Sequence, residues 1–490
     1  MKKIIDYILP NKFYYVSVLI ISILVLVLSD KIFATPTGFI PLVFVIILLL
    51  VISTIVILKN PTIGILITFA IMPFENIGGF YIHSIHIRFD QIIIGISAIS
   101  FIISSLINKN FKIKKDATLL IVLALIIANI LSLTNALNMT RSIEIFLFTL
   151  ITYIIYYAIP LNFFDTSYVK YIPNILFIVT IALSIFGLYQ YFGNILNLPG
   201  SVLGLRAPYV KNVLGYPRIQ ATEIEPLYYG TYLIFTITMA IGLLIFNKSK
   251  NILKKNDIYI AFAALILGGV NLLLTYARGA WIGEAFAVFI LFIIFLIDYK
   301  IKKNIIYTIL IAIVILSIGV FGLYKINKLP NFANKIIARA TNLQSADRTY
   351  LDNNALQAFS SNPIFGIGTG GFGPYMAINP FVTPPQNFGQ IEGYGWAIVN
   401  NEYLEILAET GIIGFALFAF LIYKIFSNFI KAYRIKNKKN SLEKIILISS
   451  FAALCGILLQ YLTFSTLYIL QIWMVIVLVE ILSFKIINDQ

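Results

Sequence analysis

The sequence predicts an all-α polytopic membrane protein of about 12–14 transmembrane helices, most simply about fourteen, and three observations predict it. Hydrophobic residues make up 60% of the 490 positions and charged residues only 12%, outside the balance of globular chains. Apolar stretches of roughly 20 residues, enough to cross about 30 Å of hydrocarbon, recur along nearly the whole length. Basic residues are shared unequally between alternate connections. In water a chain this long would divide into several domains. With lipid as solvent, one helical bundle over 1–490 is expected.

In order, the expected spans are 13–29, 39–58, 62–74, 90–107, 117–136, 143–160, 171–192, 226–246, 257–276, 280–298, 304–324, 403–423, 445–463 and 466–484. The stretch 62–74 is short and ends in Pro73-Phe74, so it reads as re-entrant or tilted. Met1-Lys2-Lys3 is basic, yet no small-residue cleavage site follows the first apolar run, which reads as an uncleaved first span.

A net charge of +15 in a soluble protein would point to nucleic acid. Here about two thirds of the 36 lysines and arginines fall in one alternate set of connections, including 109–115, 248–255, 300–303 and 431–444. That is the positive-inside pattern of a bacterial inner (cytoplasmic) membrane protein. It places both termini in the cytoplasm, makes the lipid bilayer the partner and excludes nucleic acid. The single cysteine, Cys455, reads as a packing residue. His83 and His86 have no Cys or carboxylate cluster beside them and read as structural, so no metal and no cofactor is expected.

Two connections stand out, an outer loop over 193–225 and a large outer loop over 325–402. The second is too long to be structureless. Ser345 to Phe359 offers an N-cap and a helical rhythm that stops at Asn362-Pro363. A literal G-x-G-x-x-G follows at Gly366, Gly368 and Gly371. With no strand before it, this is not a dinucleotide fingerprint. It reads as a hinge or a close approach of backbone to substrate.

Arg278 lies in Tyr276-Ala-Arg-Gly-Ala-Trp-Ile-Gly283 between two apolar spans, where a guanidinium is costly unless it reaches the interface, a wet cavity or an anion. Gly279 and Gly283 allow a helix or ligand to come close. Arg218 precedes another span on the same face, and Arg206, Lys211 and Arg348 are further outer cations. Paired arginines suit a lipid-linked phosphate or diphosphate, with Glu225 nearby in sequence. Where the long loop re-enters the membrane, Asn400, Asn401 and Tyr403 accompany Glu402, Glu405 and Glu409, three acids on one helix face. Such a stripe serves the helix dipole, or supplies bases of raised pKa.

Together these stretches resemble the O-antigen ligase and polymerase superfamily. The resemblance rests on the Arg278-Gly279 turn, on Asp347-Arg348 through Asn362-Pro363-Ile-Phe-Gly-Ile-Gly368, and on Asn400-Asn401 followed by Gly411-Ile-Ile-Gly414. It implies a GT-C-like membrane glycosyltransferase that uses an undecaprenyl (polyprenyl) diphosphate-linked glycan donor and a glycan acceptor, without metal or nucleotide sugar. A chain-length regulator and a flippase are the implied protein partners. By resemblance Arg218 and Arg278 hold the lipid diphosphate, with Arg348, Glu225, Asn401 and Tyr403 in the binding set and Glu402, Glu405 and Asn400 in the catalytic one. The ligase pattern has His where this chain has Asn400, which cannot take a proton at neutral pH. The sequence therefore favours a polymerase of lipid-linked repeat units over a ligase, with a lipid-linked oligosaccharide flippase as the rival from another class. If a base is needed, Glu402, Glu405, Glu223 and Glu225 all qualify.

Overall fold

The computed structural model describes residues 60–75, 79–82, 85–88, 95–100, 116–210, 215–250, 253–299, 346–378, 397–435, 441–465 and 470–489, with a few isolated positions between them. The expected spans 13–29 and 304–324, with most of 39–58 and half of 90–107, lie outside the described residues. What is described is a multi-pass helical bundle. Its helices are α1 (Pro61–Ile71), α2 (Ala117–Ser132), α3 (Met139–Phe163), α4 (Ile172–Ile195), α5 (Pro226–Lys250), α6 (Lys255–Leu274), α7 (Arg278–Tyr299), α8 (Ala346–Ser361), α9 (Phe372–Ile378), α10 (Glu402–Arg434), α11 (Leu442–Gln460) and α12 (Leu470–Asn488). Among the described residues nine helices are long and apolar enough to span a membrane, and they coincide with nine of the expected spans.

Helix starts follow local chemistry. Asp116, Asn138, Asn401 and Ser441 each sit extended before a helix and accept an N–H of its first turn through the side chain. Pro61 and Pro226 open α1 and α5, where an N–H would lack a partner anyway. α1 has 11 residues, about 16 Å of rise, and is too short to cross the bilayer. The short, unusual character expected of 62–74 is thus present, and α1 is not among the nine spans of the described residues. A second departure is a hairpin, β1 (Gly79–Ile82) with β2 (Ile85–Arg88), in which Tyr81 pairs with His86. His83 lies outside the described residues.

Burial sorts the helices into layers. The apolar windows of α5 and α11 are 83% and 89% buried, against 33% for α3, α6 and α7, so the first two are central and the others face lipid. Gly283 of α7 and Gly456 of α11 let those helices touch, since a Cβ on Gly456 would lie 2.4 Å from the Gly283 carbonyl oxygen. Trp473 of α12 packs edge-on against Tyr153 and Tyr157, in the π-helical turn Thr152–Ala158 of α3.

Because consecutive helices run antiparallel, their connections collect at two ends. One end carries Lys444, whose Nζ donates to the Tyr433 and Ile435 carbonyls at 2.6 and 2.8 Å, and the 2.5 Å Lys485–Glu443 ion pair. The opposite end gathers the α2–α3, α4–α5 and α6–α7 turns, α8, α9 and the start of α10. The described site residues expected from sequence lie at that opposite end, and Lys211 lies outside the described residues.

Candidate functional site

The α6–α7 turn is tight and specific. Thr275 Oγ1 donates to the Leu272 carbonyl and accepts from Ala277 N, while Trp281 Nε1 also donates to Leu272 O at 2.8 Å. Tyr276, at φ 50°, takes the left-handed conformation between the helices, a strained choice for an aromatic residue. Arg278 is thereby the first residue of α7, where unpaired helix N–H groups and the dipole add to its positive field. The close approach expected at Gly279 is to a helix end, for a Cβ there would meet Thr463 Oγ1.

The loop ahead of α5 is held against this turn. Ile219 N donates to Leu274 O at 3.3 Å, and Arg218 Nε donates to Thr275 O at 3.2 Å with its guanidinium over the Tyr209 ring. Gln190 of α4 makes two 2.9 Å bonds to the backbone of Ala221, and Thr222 Oγ1 donates to Pro73 O at 2.6 Å. Arg206 Nη1 caps the Ile224 carbonyl. Glu223, fully buried, accepts from Gln471 Nε2 of α12.

Three arginines converge here. Burial lowers the Arg218 pKa, and the Arg278 charge lowers it further, opposed by Tyr209 and Glu225. Burial also lowers the Arg348 pKa, again with Arg278 adding repulsion and Asp352 opposing it. Arg278 Nη1 is buried and makes no hydrogen bond among the described residues. Glu225 lies within electrostatic reach of Arg218, its pKa raised by burial and pulled back by Arg206, Arg218 and a hydrogen bond from Tyr209. Burial pushes the Tyr209 hydroxyl itself up to about 12. Crowding like charges at a half-buried surface costs free energy, and an anion between them reverses its sign.

The glycine run is not a free hinge. α10 breaks at Gly411 (φ 66°, ψ −168°), and the Pro363–Gly368 segment docks into the break. Ile367 N donates to Ala408 O and Gly368 N to Glu409 O, both at 3.0 Å, and Ile412 N donates to Pro363 O at 2.9 Å. The loop thus replaces the helix bonds that the break removes, which is how irregular backbone survives at membrane depth. Only glycine fits at the crossing: a Cβ on Gly366 would lie 2.3 Å from Glu409 backbone, and one on Gly411 2.3 Å from Ile364 O. From the other side Asn135 Nδ2 donates to Gly366 O, Thr369 Oγ1 to Asn129 Oδ1, and Arg141 Nε to Gly370 O. The close backbone approach at these glycines is made to α10, where the sequence reading expected a hinge or a substrate.

The three acids of α10 differ in what they hold. Glu409 accepts Gly370 N and Phe372 N at 2.8 and 3.2 Å, and Glu405 accepts Val399 N at 2.8 Å. Glu402 lies beside Tyr153, Tyr403 and Tyr461. With Asn129 and Thr369 the three acids line a partly open cavity of about 40 Å³, which is room for a few waters. Asn400 is left-handed at φ 60°, a conformation asparagine tolerates, and Asn401 caps α10 through Leu404 N. Tyr403 OH donates to Leu458 O at 2.7 Å.

The expected residues therefore form two neighbouring patches rather than one. Arg218, Glu225, Arg278 and Arg348 make the first, and Asn400, Asn401, Glu402, Tyr403 and Glu405 the second. The end of α11 stands between them, touching Gly279 on one side and Tyr403 on the other. α8, which carries Arg348, packs along α10 and so joins the two. Sequence reasoning missed Arg141, Gln190 and Gln471, whose roles exist only through tertiary hydrogen bonds. Arg141 alone had a local signal, three residues after the N-cap Asn138.

Comparison with known proteins adds a family match over part of the chain. Residues 263–419 match the family model described as O-antigen ligase, a stretch that runs from α6 through α10 and includes Arg278, Arg348 and Asn400 to Glu409. The match supports the O-antigen ligase/polymerase superfamily. A protein of Haemophilus influenzae, described as an uncharacterized protein, is 29% identical over 252 residues, 48% of this chain and 59% of that protein. The chain thus aligns with less than two thirds of that relative's length.

Proposed function

We propose that the protein is a membrane glycosyltransferase that joins polyprenyl-diphosphate-linked glycan units at the outer face of the inner membrane, as a polysaccharide polymerase. The observation that carries this is the mutual electrostatic reach of Arg278 with Arg218 and with Arg348, together with a buried Arg278 Nη1 that has no hydrogen-bond partner among the described residues. Three guanidinia at a helix start suit a diphosphate whose charge grows as it leaves. An acceptor hydroxyl attacks the anomeric carbon and forms the new C–O bond. The bond from that carbon to the diphosphate oxygen breaks, its electron pair stays on that oxygen, and the configuration inverts. Glu402 is assigned as the carboxylate that takes the acceptor proton, from its place in the first turn of α10 beside Asn400 and Asn401. Asn400 is assigned to orient the hydroxyl. The basic end of the bundle, with the carboxy terminus, is assigned to the cytoplasm.

The ligase reading stays next in line because the family model carries that description. Asn400 in place of histidine argues against it. Reconstitution of the full chain with a lipid-diphosphate oligosaccharide tests the proposal. A ladder of products longer by whole repeat units supports a polymerase. Transfer of single chains to a lipid or protein acceptor supports a ligase. Movement of the donor between leaflets with no new glycosidic bond refutes both.

A further inference from the structure

A second polar surface lies at the site end, outside both patches. Between the α2–α3 turn and α9 runs an open groove of about 620 Å³. From its lining we infer that it is an oligosaccharide-binding groove for the acceptor glycan, an assignment that rests on the transferase reading above.

The lining has the two-sided chemistry of a sugar. Asn138, Thr140, Arg141 and Glu144 bring amide, hydroxyl, guanidinium and carboxylate groups to one side, and Pro374 and Ile378 make an apolar wall. A pyranose presents hydroxyls at its rim and C–H bonds on its faces, and meets both. A groove for a polyprenyl tail would lack the four polar side chains, and one for phosphate would not carry Glu144. The volume falls in the range of about 300–1,000 Å³ usual for small-ligand sites, which suits an oligosaccharide of a few rings.

The groove is also fixed in place. Asn138 Oδ1 accepts Arg141 N at 3.1 Å, and Arg141 Nε donates to Gly370 O at 2.9 Å. Gly370 N donates in turn to Glu409 at 2.8 Å, in the same helix that begins with Glu402. Its polar wall is therefore tied through a short bonded path to the second patch, and a bound acceptor would lose little further freedom to loop ordering. Thr140 is exposed, so its replacement leaves the core alone.

The test uses the full chain in lipid nanodiscs. The probe is the repeat oligosaccharide released from the producing cell's own surface polysaccharide. Saturation-transfer NMR on wild type is expected to show binding, and Thr140→Trp, which fills the groove, to reduce it at least fivefold. In the reconstituted reaction Glu144→Gln is expected to raise the acceptor KM about tenfold, the loss of one charge-assisted hydrogen bond, and to leave the donor KM in place. Oligosaccharide binding unchanged by Thr140→Trp, or an acceptor KM within twofold of wild type in Glu144→Gln, overturns the groove assignment and leaves the transferase reading intact. If wild type forms no glycosidic bond while Thr140→Trp still abolishes binding, the transferase reading falls and the sugar groove stands.

Discussion

Arg348, carried by the outer helix α8, stands within electrostatic reach of Arg278 at the start of α7, and each charge opposes the other. Folding alone does not favour this pair. Arg348→Gln would remove the repulsion without setting a second carboxylate beside Asp352, so the variant is expected to melt close to the wild-type temperature while glycan joining falls at least tenfold. A variant that loses both stability and activity would mean that Arg348 serves the fold.

The interlock at Gly411 has its own signature. Gly411→Ala puts a Cβ against Ile364 O in a backbone conformation that L residues avoid, with an expected cost of about 2–4 kcal/mol. Thermal melting should fall by several degrees, and protease should cut the 361–378 region sooner. An unchanged melt would show that the loop does not need the break in α10.

Acid pH should act through Glu225. Its carboxyl is raised by burial, with Arg206, Arg218 and Tyr209 opposing, so it loses its charge at a higher pH than an ordinary glutamate. At neutral pH the carboxylate repels a bound diphosphate, and Glu225→Gln should bind a polyprenyl diphosphate severalfold more tightly than wild type. As pH falls through the raised pKa, wild type becomes neutral there too and the two affinities should converge. Calorimetry across pH 4.5–7.5 reads the difference, and a constant ratio would exclude the role.

Orientation is open to labelling, because the native Cys455 is buried. Ser360→Cys on α8 should react with a membrane-impermeant maleimide from outside the cell, and Lys431→Cys at the other end of α10 only after lysis. The reverse pattern would put the arginine patch in the cytoplasm.

Much of the bundle was legible in the sequence because lipid makes hydropathy decisive. Nine expected spans have their helices, and the helix expected from Ser345 to Phe359 appears as Ala346–Ser361. The arginines were legible for the same reason: a guanidinium beside an apolar span needs an explanation. What stayed hidden depends on partners distant in sequence. Nothing near Gly411 announces that Pro363 and Ile364 will replace its helix bonds. Glu409 looks like one acid in a stripe until the backbone of Gly370 and Phe372 reaches it. The hairpin at 79–88 sits in a short stretch between two expected spans, where no period was long enough to read.

The central claim is that Arg278 stabilises a departing diphosphate. The direct measurement is the single-turnover rate of glycan joining by Arg278→Ala and Arg278→Lys in nanodiscs, with a defined lipid-diphosphate oligosaccharide. Loss of the guanidinium should slow Arg278→Ala by about 10²–10³-fold, as loss of a preorganised donor to a developing anion does. Arg278→Lys should retain part of the rate, since it keeps the charge without the bidentate fork. Joining by Arg278→Ala at the wild-type rate would contradict the account.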